Sequence, residues 1–473
     1  MGVIRGATSG PRSAGLASPG FLALSRTGWW PRAWPPLLLS ALVLLALGQF
    51  LRVGLVSTDW WPVVSTNRVQ NLPDFLRAFR EPIGAGDPHF IHETARHYRP
   101  LAVLSFALDY KLWGLDTPAG WQLTNLLVHL GVTLGVYTLG RTLGLARWAA
   151  TLAAAVFTLH PAIVGTEPAI ARRHDTLSAL FFLGSVILLL RGQRVLPGVL
   201  FLLSILSKET SLAALPFVPL LLRAVDRPMS RTWVLLPAAA LALALRILAI
   251  GDLGGYGTAT WPSLAAVPIY WDKIGKYFTE LLYPLPVRPG TVAGIAMLLL
   301  LASAGGAALT LPRKQRYLAV VGLLWVYGFA VFYALLKVYA GSWYLYFPLI
   351  GGAIGVAALA SGGLARLPDR IAWLPLGLAS VMVGVVVLSS PLVTPYPDWA
   401  NTTAVTEAYL RHVDTCTEDG QPPLFPPDEN RRSVFVNPAG LLDYSVTAYI
   451  ALRFPDGRPC EHVNAGRRGR DPA

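Results

Sequence analysis

The sequence predicts an all-α polytopic membrane protein, and three observations carry that reading. Hydrophobic residues make up 54% of the 473-residue chain and charged residues only 14%. Mean hydropathy is +0.50. The apolar residues are also gathered into runs of roughly 16 to 22, each about enough to cross hydrocarbon as a helix. A soluble chain of this length could not hide that much apolar surface in its cores, so a membrane has to be its solvent. The net charge of +13 comes chiefly from arginine, placed in the short segments between apolar runs where basic residues set topology. No basic stripe interleaved with aromatics is present, so a nucleic-acid partner is not expected.

Residues 1–34 are rich in Gly, Ser and Pro and carry Arg5, Arg12, Arg26 and Arg32, which reads as a disordered cytoplasmic tail. The first apolar run, 35–56, begins too late and extends too far for a cleaved signal peptide and is read as a retained span. A mixed-charge loop, 57–99, follows. Further runs cover 121–139, 148–164, 176–190, 196–206, 211–222, 233–250, 292–311, 318–336, 344–360 and 371–393. With the first they make about eleven. The pair flanking Lys208 is short, either two spans or a single broken or re-entrant one.

With the tail inside, alternate connections carry Arg141 and Arg147, Arg191 and Arg194, Arg223 with Arg227 and Arg231, Arg313 with Lys314 and Arg316, and Arg366 with Arg370. All then fall on the cytoplasmic side. An odd span count leaves 394–473 outside as a small segment, and VFVNPAG and SVTAYIALRF within it alternate enough for short strands. Cys416 and Cys460 are the only cysteines and both lie there. In an oxidising space they would close a disulfide; two unrelated thiols is the alternative. The chain thus divides into a tail (1–34), a transmembrane domain (35–393) and a C-terminal extracytoplasmic segment (394–473).

The outside connections hold the chemistry. Asp59 stands just past the first span. Tyr98, Arg99 and Pro100 open an amphipathic segment running to Gly114, expected to pack as a helix on the outer surface. Glu167 and Asp175 bracket Arg172, Arg173 and His174, a dense charge cluster in a charge-poor protein. Lys208 and Glu209 interrupt an apolar stretch, where an ionisable group costs roughly 3 kcal/mol unless paired or hydrated. Tyr256, Trp261, Tyr270, Trp271, Tyr277 and Tyr283 in 251–289 suit interfacial helices. His129 and His160 sit on apolar faces without partners at ligand spacing, which favours hydrogen-bonded packing over zinc. No P-loop, dinucleotide fingerprint or G-x-S-x-G elbow occurs, so ATP-driven transport, hydride transfer and serine hydrolysis have no support.

Four strings carry a resemblance: HYRPLAVLSFALDYKLWGLDTPAGWQLTNLLVHL from His97, LHPAIVGTEPAIARRHD from Leu159, LSKET from Leu206 and YLYFPLIG from Tyr344. Together, over roughly residues 58–355, they resemble the transmembrane part of the bacterial and animal TMTC-type O-mannosyltransferases. The resemblance implies a GT-C-like bundle with amphipathic helices in its extracytoplasmic loops. It also implies inverting transfer of a sugar from a polyprenyl-phosphate donor to an extracytoplasmic acceptor, whether a protein hydroxyl, a glycan or a glycolipid. It points to metal independence, so no cofactor is expected, although Glu167 and Asp175 offer oxygen ligands that would suit a divalent ion. The setting it implies is a bacterial cytoplasmic membrane.

Two departures stand out. The first loop, STDWWPVVSTN, has one acid where the family usually has a pair, and GSWYLYFP has Ser342 and Trp343 where relatives commonly have an acid and an Arg. No tetratricopeptide repeats are expected, because the tail to Ala473 is too short for an array.

Such a transfer needs a base for the acceptor proton and cations for the leaving phosphate. Asp59 is placed as the base; a solvated helix-end carboxylate is the bland alternative. Arg99, Arg172, Arg173 and Lys208 are the candidate phosphate ligands, with Glu167, Asp175 and Glu209 binding sugar or orienting the cations; structural ion pairs compete with each assignment. Two other readings stay open: a secondary transporter or lipid flippase, against which the two halves show no internal repeat, and a catalytically silent relative.

Overall fold

The computed structural model describes residues 30–55, 69, 71–83, 97–251, 267–282, 294–295, 298, 302, 305, 311–335 and 342–364. Among them every regular element is helical. In chain order these are α1 (Trp30–Leu47), α2 (Leu72–Arg77), α3 (Pro100–Trp113), α4 (Pro118–Thr142), α5 (Arg147–Leu159), α6 (Arg173–Leu190) and α7 (Leu196–Ser207). They continue with α8 (Thr210–Ala214), α9 (Val218–Ala224), α10 (Leu236–Ile250), α11 (Val267–Leu282), α12 (Arg313–Ala334) and α13 (Tyr346–Leu364). Among the described residues six helical stretches are long and apolar enough to cross a membrane: Ala33–Arg52, Pro118–Thr142, Ile170–Leu190, Met229–Ile250, Arg313–Ala334 and Trp343–Gly362. Three apolar helices are shorter, Arg147–Leu159, Leu196–Ser207 and Thr210–Ala224. The chain is a multi-pass membrane protein. The run at 371–393, most of the run at 292–311 and the segment 394–473 with Cys416 and Cys460 lie outside the described residues.

Helix ends follow local chemistry. Proline at the first turn opens α3, α4 and α7, where the missing N–H costs nothing. Gly251, with φ 71°, closes α10 in the left-handed conformation that only glycine adopts cheaply. The central helices pack through small residues and aromatic rings. Gly322 lies directly against Gly351 and Gly355, so that a side chain there would collide with the backbone of α13; such small-residue contact is how helices approach closely where lipid supplies no hydrophobic drive. Trp325 donates its indole N–H to the Phe347 carbonyl at 2.9 Å across the same seam.

At Lys208 helicity breaks and the chain reverses: α7 arrives from the end of the bundle that holds Gly192, and α8 and α9 lead back toward it. Lys208 has extended backbone between α7 and α8, and its carbonyl accepts from the Ser178 and Ser211 hydroxyls at 3.1 and 3.3 Å. Those hydroxyls satisfy a backbone group that hydrocarbon could not. The break lies at the end of the bundle where α6 and α13 begin and α10 ends. At the opposite end, Lys314 lies against Gly144 and Arg227 and Arg231 lie against Gly192, so several arginine-bearing connections gather on one side.

Candidate functional site

The polar cluster is built where four helices meet the break. Arg172 closes a 3-10 turn (Ile170–Arg172), and Arg173, His174 and Asp175 form the first turn of α6 rather than a loop. A carboxylate there is favoured by the helix dipole. Asp175 Oδ1 pairs with Lys208 Nζ, and its Oδ2 lies 3.2 Å from His174 Nε2. Lys208 Nζ also sits 5.4 Å from the centre of the Tyr344 ring.

Glu209 faces a second group of cations. It accepts from Arg99 Nη2 at 3.0 Å and Nε at 3.4 Å, and Arg246 Nη1 lies 3.5 Å from its Oε2. Arg99 Nη1 is 3.2 Å from His174 Nε2. An arginine can only donate, so that ring nitrogen accepts from Arg99 and has no proton to give the Asp175 carboxylate beside it. Lys208, Arg99 and Arg246 are all buried, and among the described residues they meet the Asp175 and Glu209 carboxylates. Arg172 adds a further guanidinium, half-buried and 4.1 Å above the Trp343 ring.

Arg173 turns the other way. It is fully buried, and its guanidinium donates to Asn125 Oδ1 at 2.6 Å and the Trp121 carbonyl at 3.0 Å and pairs with Asp109 Oδ2 at 2.5 Å. Phe106 lies under it at 5.0 Å. These contacts clamp α3 to α4 and α6, so its donors are committed to protein; the phosphate contact expected from the sequence is not the contact this geometry offers.

Glu167 is buried between the same helices. Its carbonyl accepts from Asn125 Nδ2 at 3.1 Å, but both carboxyl oxygens lack a hydrogen-bond partner among the described residues. The closest cationic candidate, His129 Nδ1 at 3.7 Å, is engaged with the Tyr346 hydroxyl at 2.8 Å. Burial pushes the Glu167 carboxyl up to about 8, against the opposing pull of Arg173. His160 uses both ring nitrogens, accepting from the Ala162 N–H at 3.2 Å and meeting the Leu281 carbonyl at 3.0 Å. No group of three or more His, Cys, Asp or Glu able to hold a metal ion occurs among the described residues. Asp59 lies outside them.

Sequence reasoning missed Asp109, Asn125 and Arg246. The signal for Arg246 was present, because it interrupts LALALRILAI just as Lys208 interrupts its own apolar stretch.

Fold and site together define a multi-pass, all-helical membrane protein with an ionic cluster buried at a helix break. The chain is 30% identical over 183 residues to the protein O-mannosyl-transferase Tmtc1 of Drosophila melanogaster, which is 37% of this chain and 21% of that protein. It is 37% identical over 101 residues to human TMTC4, also a protein O-mannosyl-transferase, covering 19% of this chain and 14% of the relative. The match thus spans about a fifth or less of these relatives' length, and the resemblance to TMTC-type O-mannosyltransferases stands on it. No protein-family model matches the chain. Among solved structures, the Archaeoglobus fulgidus oligosaccharyltransferase in its apo form aligns over 89% of this chain and 64% of its own, at 13% identity and a TM-score of 0.48. ArnT from Cupriavidus metallidurans bound to undecaprenyl phosphate aligns over 92% and 78%, at 16% identity and 0.42.

Proposed function

We propose that the chain is a GT-C-type glycosyltransferase that moves a sugar, with inversion, from a polyprenyl-phosphate-linked donor to an extracytoplasmic acceptor. The observation that carries this reading is the gathering of buried cations at the helix break: Lys208, Arg99 and Arg246 with Asp175 and Glu209, and Arg172 beside them. Clustered cations at the membrane boundary suit the phosphate of a lipid-linked sugar, which they would hold by charge-assisted hydrogen bonds.

In this scheme Arg172 is the cation most available to the phosphate, since its only described partner is the Trp343 ring. Arginine forks onto phosphate oxygens. Lys208 and Arg99 set the local potential while Asp175, Glu209 and His174 hold them in place. Glu167, uncharged below about pH 8, would donate a hydrogen bond to a sugar hydroxyl. Asp59 would take the acceptor proton. The similarity to protein O-mannosyl-transferases favours mannose as the sugar and a protein hydroxyl as the acceptor.

The test is mass spectrometry of glycoproteins, glycans and glycolipids from cells with and without the gene. Loss of one sugar from one class of acceptor, restored by the wild-type gene but not by Asp59→Asn, is the expected result. An unchanged glycan profile contradicts the proposal.

A further inference from the structure

At the end of the bundle away from the ionic cluster, α6 turns into α7 through residues 191–195, and the 3-10 segment Met229–Leu235 packs against the start of α7. Gly192 sits in this turn with φ 98°, a conformation that favours glycine. The space left by its absent side chain is taken by two guanidiniums: Arg231 Nη1 and Arg227 Nη2 lie 3.2 and 3.7 Å from where a Cβ would stand. Arg231 Nη1 is buried and makes no hydrogen bond, and neither side chain forms an ion pair among the described residues. Arg191 and Arg194 lie within the same turn. Like charges brought to one point repel, and a buried N–H left without an acceptor is destabilising. Setting membrane orientation requires only that arginines occupy the connection, not that two of them converge.

The surroundings indicate what completes the site. Leu196, Val199, Met229 and Trp233 stand exposed around the turn, Trp233 at 70%. Exposed Trp marks headgroup depth, and the aliphatic side chains beside it suit acyl tails. A phosphate group matches paired guanidiniums in charge and in forked hydrogen-bonding geometry.

We propose that the junction of the 191–195 turn with the Met229–Leu235 segment is a binding site for the phosphate headgroup of an anionic membrane phospholipid, held by Arg227 and Arg231. This site is separate from the proposed donor site and does not depend on it. An arginine near an anionic surface contributes roughly fivefold in affinity, so removing both should cost on the order of 25-fold.

The experiment is native mass spectrometry of the full chain released from bilayers containing phosphatidylglycerol and phosphatidylcholine. The wild type should retain phosphatidylglycerol selectively. Arg227→Gln should lose part of that retention, the Arg227→Gln, Arg231→Gln double variant nearly all of it, and Arg313→Gln, on the same side but outside the junction, none. Should the double variant not fold, the single exposed Arg227→Gln change decides. Equal retention of the two lipids overturns the proposal. So does an equal loss in Arg313→Gln, which would mean diffuse surface charge, or displacement of phosphatidylglycerol by inorganic phosphate at millimolar concentration, which would mean a free-phosphate site.

Discussion

Replacing Glu167 with glutamine distinguishes a buried neutral acid from a buried carboxylate. The carboxyl is 2% exposed and without a hydrogen-bond partner among the described residues, and burial raises it from 4.5 to about 8. The native carboxyl therefore keeps a proton that the unfolded one has already lost. Its contribution to stability is fully present below pH 4.5, declines as pH rises toward 8, and is gone beyond. At 1.36 kcal/mol per pH unit the whole decline is roughly 5 kcal/mol, less whatever water entry relieves. Glutamine keeps the shape and hydrogen-bonding ability of the neutral acid but cannot ionise. Thermal unfolding in one detergent at about pH 5 and about pH 8.5 makes the comparison. The wild type should lose more stability over that interval than Glu167→Gln, and the variant should be the more stable of the two at the alkaline end. Parallel curves for the two proteins would refute the reasoning.

Other consequences are direct. Arg173→Ala leaves Asp109 buried without its cation and should cost about 3–5 kcal/mol of stability, seen as a large fall in the unfolding temperature. Arg172→Ala removes only a half-buried guanidinium stacked on Trp343, so unfolding should hardly change, while donor affinity in a titration with polyprenyl-phosphate-linked sugar falls about tenfold or more. Thiol labelling of intact cells should find Cys416 and Cys460 unreactive until reductant is added; thiols free beforehand would exclude the disulfide.

Much of the bundle was legible because a membrane span is written as a long apolar run, and the break at Lys208 was legible because two adjacent charges cannot lie unpaired in hydrocarbon. The dense cluster from Glu167 to Asp175 was also visible. What each member does was not. Arg172 and Arg173 are adjacent, yet one stacks on Trp343 and the other is clamped by Asp109 and Asn125. That division depends on how α3 and α4 dock, which local spacing does not encode. The expected loop also proved to be the first turn of α6, because 173–190 continues as one helix and the charges face inward to partners on other elements. Glu167 shows the same limit: its isolation follows from Tyr346, far along the chain, occupying His129.

Sugar transfer by the purified, reconstituted chain tests the central claim most directly. Polyprenyl-phosphate-linked mannose labelled in the sugar is supplied with a hydroxyl-bearing acceptor peptide, with and without a chelator. The account predicts that label moves from lipid to peptide, that the chelator leaves the rate unchanged, and that Asp59→Asn abolishes transfer while still binding the donor. Label that stays on the lipid with the folded wild-type protein, or wild-type turnover by Asp59→Asn, would contradict it.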